Sequence, residues 1–214
     1  MPGIVLVRHG QANFGGDDYD VLSEVGMRQA ALAREALDER GIAPSVVISG
    51  SLRRQRGTAA AWTDAPIVDP RWDEYSSDDV LRAHGDPTTS LERPGDSRVF
   101  QAMLDVALTD WIAAGVDSPA AVSFPTFTGH VEAALGELAA GLGSGETALV
   151  ATSGGVIAAV VVAVLGLPPD RFVGFNRVTV NAAFTKLVIG RSGTTLVSFN
   201  EHAHLDRAAL VTYR

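Results

Sequence analysis

The apolar run Ile4-Val5-Leu6-Val7 stops abruptly at Arg8-His9-Gly10, and this junction constrains the fold more than any other stretch of the chain. Four consecutive apolar residues, mostly β-branched, read as a strand buried on both faces, as in a parallel sheet. In an open α/β sheet ligands bind outside the carboxyl ends of the strands. A guanidinium and an imidazole therefore stand where a ligand would sit. Arg8 offers a planar fork of donors suited to phosphate or carboxylate. His9 can serve as nucleophile, base or ligand near neutral pH, and Gly10 permits a turn or close approach that a Cβ would block. An isolated Arg-His-Gly fits an exposed strand end without a role better, so the buried strand in front of it and the rest of the chain have to decide.

That rest repeats the theme of short buried strand and helix. Ser23 caps a helix that runs to about Glu39 and stops at Gly41. Ser45–Ser49 reads as a second strand, leading into a polar segment and a helix ending near Trp62, and Ile67–Asp69 as a short third strand. Residues 75 to about 97 are polar and show no clear period, as expected of an excursion over a site. Helical stripes follow at Phe100–Trp111 and from Phe124 to about Leu142. Thr147–Thr152 is the next buried strand, turned by Ser153-Gly154-Gly155 into an apolar helix over 156–165. Two last strands read as Thr179–Ile189 and Thr195–Phe199, joined by Gly190–Gly193. Alternating strands and helices make an α/β sandwich.

Composition narrows the function. The 214 residues suit one sizeable α/β domain, and 46% are apolar, enough for a packed core. A net charge of −8 argues against nucleic-acid binding while leaving room for a small anionic substrate met by a few local arginines. The absence of cysteine excludes disulfides and thiolate metal sites. The start of the chain has no basic segment followed by a long apolar one, and the run 156–165 is too short to span a bilayer. A cytoplasmic protein without membrane partners is the expectation; the oligomeric state is left open, a homo-oligomer included.

Two further features join the opening junction. Ser51-Leu52-Arg53-Arg54-Gln55-Arg56-Gly57-Thr58-Ala59 places three arginines just past the second strand, at a helix start, where free N–H groups attract anions. One arginine on the inward side would meet Arg8, and the other two would be solvated. Glu74, after the third strand, is a candidate general acid at the same rim.

With these segments in order, the chain resembles the histidine phosphatase superfamily. Leu6-Val7-Arg8-His9-Gly10 resembles its Arg-His-Gly signature, and Leu22-Ser23-Glu24-Val25-Gly26 with Gln29-Ala30 its Leu-Thr/Ser-x-x-Gly-x-x-Gln-Ala helix start. Ser51–Ala59 is similar to Ser-Pro-Leu-x-Arg-Ala-x-x-Thr-Ala, which aligns Arg54 with the family's second phosphate-binding arginine. Trp72-Asp73-Glu74 resembles Leu-x-Glu, and Asn200 with His204-Leu205 the closing Asn…His-Leu. Two departures stand out: Ser153 occupies the position of the family's second histidine, and Phe14-Gly15 replaces the usual Trp-Asn.

The resemblance implies a single domain over 1–214, a three-layer α/β/α sandwich around a mostly parallel mixed sheet of the phosphoglycerate-mutase-like kind, with a variable cap around 75–130. It implies a metal-independent phosphatase acting on a small phosphate ester, with His9 as nucleophile and Glu74 as proton donor. Arg8, Arg54, Ser153 and Gly154 would bind substrate, and Asn13 in the polar loop is counted with them. No cofactor is expected. His84, His130, His202 and His204 do not form a convincing metal set. Two alternatives stay open: a phosphoglycerate-mutase-type phosphotransferase, and a catalytically weak phospho-ligand-binding protein, which Ser153 favours.

Overall fold

The computed structural model describes residues 1–13, 20–85, 97–206 and 209–213. Phe14-Gly15 and residues 86–96 of the expected cap lie outside the described residues. The six strands are β1 (Gly3–Arg8), β2 (Val46–Ser49), β3 (Ile67–Val68), β4 (Thr147–Thr152), β5 (Phe184–Gly190) and β6 (Gly193–Glu201). They form one sheet in the order β3-β2-β4-β1-β5-β6. β1, β2, β3 and β4 are mutually parallel, and β5 and β6 complete the sheet antiparallel. The helices are α1 (Glu24–Glu39), α2 (Arg53–Ala59), α3 (Ser77–His84), α4 (Ser97–Ala114), α5 (Phe124–Gly141), α6 (Gly154–Val164), α7 (Phe172–Val178) and α8 (Ala203–Asp206).

Alternation along β1 decides the layers. Ile4 and Leu6 point into a large core with α6 and the helices of the 75–141 region. Val5 and Val7 point into a second core with Ala33, Ala36 and Leu37 of α1. Each strand residue thus belongs to one of two faces, as the pleat requires, and helices cover both. The chain leaves β1 through α1 on one face and leaves the adjacent β4 through α6 on the other. The carboxyl ends of β1 and β4 therefore flank a topological switch point, where such sheets open a crevice. α4 is long and apolar enough to cross a membrane by length and composition alone, yet Phe100, Leu104, Leu108 and Trp111 on it belong to the core.

Several boundaries differ from the sequence reading, each for a local reason. α3 lies within the stretch that showed no period, because only Val80 and Leu81 turn inward; Ser76 caps it by accepting from the Asp79 N–H at 3.2 Å. α6 starts at Gly154 rather than at 156. β5 begins at Phe184, not Thr179. Thr179 to Ala183 instead turn across the end of β1, with Ala182 at φ 57° and its N–H on the Arg8 carbonyl at 3.0 Å. Helix α7, which the sequence reading left unassigned, feeds this turn. Asn200 also ties the turn down: its side chain accepts from Val180 N–H and donates to the Val178 carbonyl, both at 2.8 Å.

His204 stacks on Phe184 at 4.6 Å between ring centres and donates from Nε2 to the Ala182 carbonyl at 3.1 Å. Its Nδ1 is buried and finds no partner among the described residues. Burial lowers its pKa from 6.5 to about 4. The folded chain thus binds fewer protons at this site than the unfolded chain between these values, so stability falls as the pH drops through that window. Urea unfolding at pH 7 and pH 5 is expected to show a loss on acidification that is smaller in His204→Gln. An equal loss in both proteins would assign the acid sensitivity to other groups.

Candidate active site

The loop after β1 carries His9 into the crevice, and a close backbone approach fixes that loop. A Cβ on Gly10 would stand 2.3 Å from the Gly26 carbonyl oxygen, and one on Gly26 would stand 2.1 Å from that of Gln11. Only two glycines let the first turn of α1 press against the chain directly after His9. The Gly10 N–H donates to Thr58 Oγ1 on α2 at 3.0 Å, and the His9 N–H to the Thr152 carbonyl at 2.7 Å. His9 is thereby pinned by α1, α2 and β4 together.

His9 is 5% exposed. Nδ1 lies 2.8 Å from the Gly10 carbonyl oxygen, an acceptor only, so Nδ1 carries the proton and Nε2 presents a lone pair. The Arg54 Nε–H donates to that lone pair at 3.2 Å. Burial, then the charge of Arg54, then that of Arg8 hold the imidazole well below its ordinary value. His9 is a neutral imidazole with its nucleophilic nitrogen facing a cation.

Of the three arginines at the start of α2, Arg54 is buried and Arg53 and Arg56 are exposed, as neighbouring positions on a helix face different ways. Asp20 organises this end. Its carboxylate pairs with Arg54 Nη1 at 2.5 Å and accepts from the Arg53 N–H at 2.8 Å. The helix start read as an anion site is thus occupied by a carboxylate of the chain itself. Asp20 carried no signal in the sequence, because a lone acidic residue in a polar loop is usually solvated.

On the opposite side, Glu74 Oε2 accepts from the Gly155 N–H in the first turn of α6 at 3.0 Å, and Oε1 is buried without a partner among the described residues. A Cβ on Gly155 would stand 2.1 Å from Oε1, so glycine makes room for the carboxyl group. Burial raises the Glu74 pKa above 4.5, against the opposing influence of Gly155, Arg54 and Arg8. The next residue anchors it: the Tyr75 ring packs 5.4 Å from Trp111 and 5.8 Å from Phe127, and its hydroxyl accepts from Asn176 Nδ2 at 3.0 Å. Gly154 lies against Arg8, where a Cβ would come 3.6 Å from Nε.

The structure therefore brings Arg8, His9, Arg54, Glu74 and Gly154 to one crevice. Asn13 is held through its backbone N–H on the Val21 carbonyl at 2.8 Å and makes no hydrogen bond to the other five among the described residues. Ser153 is fully buried beside Gly154. It occupies the N-cap position of α6 without a side-chain cap bond; its Oγ instead accepts from Gln55 Nε2 at 2.8 Å. That amide also donates to the Trp72 carbonyl at 3.0 Å. Gln55 stands where the resembling motif carries alanine, so a larger residue on α2 accompanies the smaller one at the start of α6. Among the described residues no group of three His, Asp or Glu is placed to hold a metal ion.

The family model of the histidine phosphatase superfamily (branch 1) matches residues 4–202. A glucosyl-3-phosphoglycerate phosphatase of Mycolicibacterium vanbaalenii is 29% identical over 203 residues, covering 79% of this chain and 76% of that protein. Among solved structures, a mutant phosphoserine phosphatase from Entamoeba histolytica in complex with phosphoserine superposes with a TM-score of 0.70 at 17% identity, covering 96% of this chain and all of the other. A mycobacterial hydrolase superposes with a TM-score of 0.68 at 25% identity, covering 94% and 99%.

Ser153→His alone is expected to lower thermal stability, since Gln55 already fills the space; overpacking of this kind costs about 1–3 kcal/mol. Combining it with Gln55→Ala should recover most of the loss in a melting experiment. If the double variant melts no higher than the single one, the two positions are not packed as partners.

Proposed function

The chain belongs to the histidine phosphatase superfamily and is a phosphatase of that kind; we propose that it hydrolyses a small phosphate ester through a phosphohistidine on His9. The observation that carries this reading is the buried Nδ1–H tautomer of His9, its Nε2 lone pair facing Arg54 at 3.2 Å. Phosphoryl transfer depends on positioning and on neutralising charge at the equatorial oxygens. Arg54 and Arg8 supply that charge, and the Gly154 end of α6 adds a helix N-terminus.

Nε2 attacks phosphorus in line. The N–P bond forms as the ester P–O bond breaks, and protonated Glu74 gives its proton to the leaving oxygen. Water then attacks phosphorus on the face opposite His9. Its proton returns to the Glu74 carboxylate, the P–N bond breaks, and inorganic phosphate leaves. A raised Glu74 pKa suits the donor role, and a lowered His9 pKa suits the nucleophile. A glucosyl-3-phosphoglycerate phosphatase and a phosphoserine phosphatase among the similar proteins support small phosphorylated substrates as the class.

A second reading, a phospho-ligand binder with slow turnover, is favoured by one observation. Ser153 offers a neutral hydroxyl, already engaged by Gln55, where the family motif has a histidine. Charge-assisted bonds are about twice as strong as neutral ones, so transition-state stabilisation is weaker on that side.

His9→Ala is expected to abolish turnover of p-nitrophenyl phosphate, and Arg54→Ala to lower kcat/KM by about ten- to a thousandfold, whereas Arg53→Ala stays near the unmodified protein. Equal losses in the two arginine variants would overturn the assignment of Arg54. The pH profile follows from the two directions of shift. Activity should rise on the acid side below pH 6.5, where His9 loses its proton, and decline at higher pH as Glu74, raised above 4.5, ionises. Glu74→Gln should remove the alkaline decline. Turnover is also expected to survive EDTA; loss on chelation with recovery on a divalent cation would contradict the metal-free mechanism.

A further inference from the structure

The segment Leu210–Tyr213 crosses the end of β1 and reaches Arg8. Arg8 Nη1 donates to the Tyr213 carbonyl at 3.0 Å and to the Thr179 carbonyl. An Nη1 group carries two N–H bonds, and these two oxygens take both. The rotation of the guanidinium plane is thus set from outside the crevice.

Two fully buried amides hold the segment in turn. Gln29 of α1 donates from Nε2 to the Leu210 carbonyl and to Thr212 Oγ1, both at 2.8 Å. Asn181 gives its backbone N–H to the Thr212 carbonyl at 2.9 Å, and its Oδ1 accepts from Thr212 Oγ1 at 3.0 Å. The same two residues grip the chain around His9. Gln29 Oε1 accepts from the Gln11 N–H at 2.7 Å, and Asn181 Nδ2 donates to the His9 carbonyl at 3.1 Å. Thr212 is where both amides meet the segment.

We propose that Leu210–Tyr213 is a positioning strap for Arg8, with Thr212 as the positioning residue. Thr212 fixes the Tyr213 carbonyl, and that carbonyl with Thr179 holds the Arg8 fork in the orientation that donates to two phosphoryl oxygens. The inference rests on the reading of Arg8 as a phosphate ligand. Bidentate recognition needs a plane set to within about 10–20°, and a guanidinium on a flexible stem keeps such a plane only when its outer donors are engaged. Thr212 touches no reacting atom and acts by holding the Tyr213 carbonyl that meets Arg8.

The test is a double-mutant cycle on the full chain with Thr212→Val, Arg8→Lys and both together. Inorganic phosphate binding is read by calorimetry and kcat/KM with p-nitrophenyl phosphate. Thr212→Val keeps the shape and removes the hydroxyl that both amides meet; it should weaken phosphate binding and kcat/KM by about tenfold, the upper scale of one neutral hydrogen bond. Thr212→Ser should restore both. Arg8→Lys keeps the charge and loses the fork, so in that background Thr212→Val should have no further effect. Unchanged phosphate binding in Thr212→Val overturns the proposal. So does full additivity in the double variant, which would mean that the strap acts through the fold. Thr212→Ala gives the same readout should the valine variant not fold. An unmodified chain that binds phosphate without hydrolysing the ester contradicts the catalytic reading, and the strap is then decided on phosphate binding alone. An unmodified chain that binds no phosphate overturns the strap together with the role of Arg8.

Discussion

A buried, uncharged imidazole beside two guanidiniums is the arrangement on which the site depends. Left in water, His9 would share its pH range with ordinary histidines; in the crevice, burial and the neighbouring charges both favour the neutral form. Burial of this kind requires that both nitrogens of the ring be accounted for. Gly10 accepts from Nδ1, Arg54 donates to Nε2, and Asp20 offsets the charge of Arg54. A cation facing a lone pair is stable here because that cation is itself paired. A phosphoryl group entering the crevice would compete with Asp20 and with the Nε2 lone pair for the same guanidinium.

The sheet supplies the frame for this arrangement. Parallel β1 and β4 end side by side and send their helices to opposite faces, so the loops after Arg8 and Thr152 diverge and leave a gap. α6 points its N-terminus at that gap, and Glu74 reaches it from the segment after β3. The carboxyl group and the imidazole have opposite needs for their protons, and the same low-polarity surroundings serve both: burial raises one pKa and lowers the other.

Much of this was legible in the sequence, and the parts that were not share a physical cause. The β1 and β4 runs are continuous and apolar, so their strands were read within a residue. Helix geometry lets only one of the three arginines at the start of α2 face inward, and the resemblance to the family motif marks Arg54 as that one. Asp20, Gln55, Asn181 and Thr212 were not found. Each acts through one contact with a residue far away in the chain, and short polar side chains of these types are common in solvated loops. The start of β5 was misplaced for a related reason. Thr179-Val180 has strand-like composition, but the backbone there is spent on holding Arg8 and His9, and no propensity records such a debt. Ser153 had the composition of a helix cap and is instead a packing partner of Gln55.

The base of the loop that follows His9 is closed like a clasp. Ala12 and Leu22 form a β-bridge, the Asn13 N–H donates to the Val21 carbonyl, and the Ser23 N–H to that of Gln11. Gly10 and Gly26 meet just beside this clasp, so it also limits how far the chain after His9 can move. A change that opens the clasp therefore reaches the imidazole through the backbone, without altering any residue that would meet a substrate.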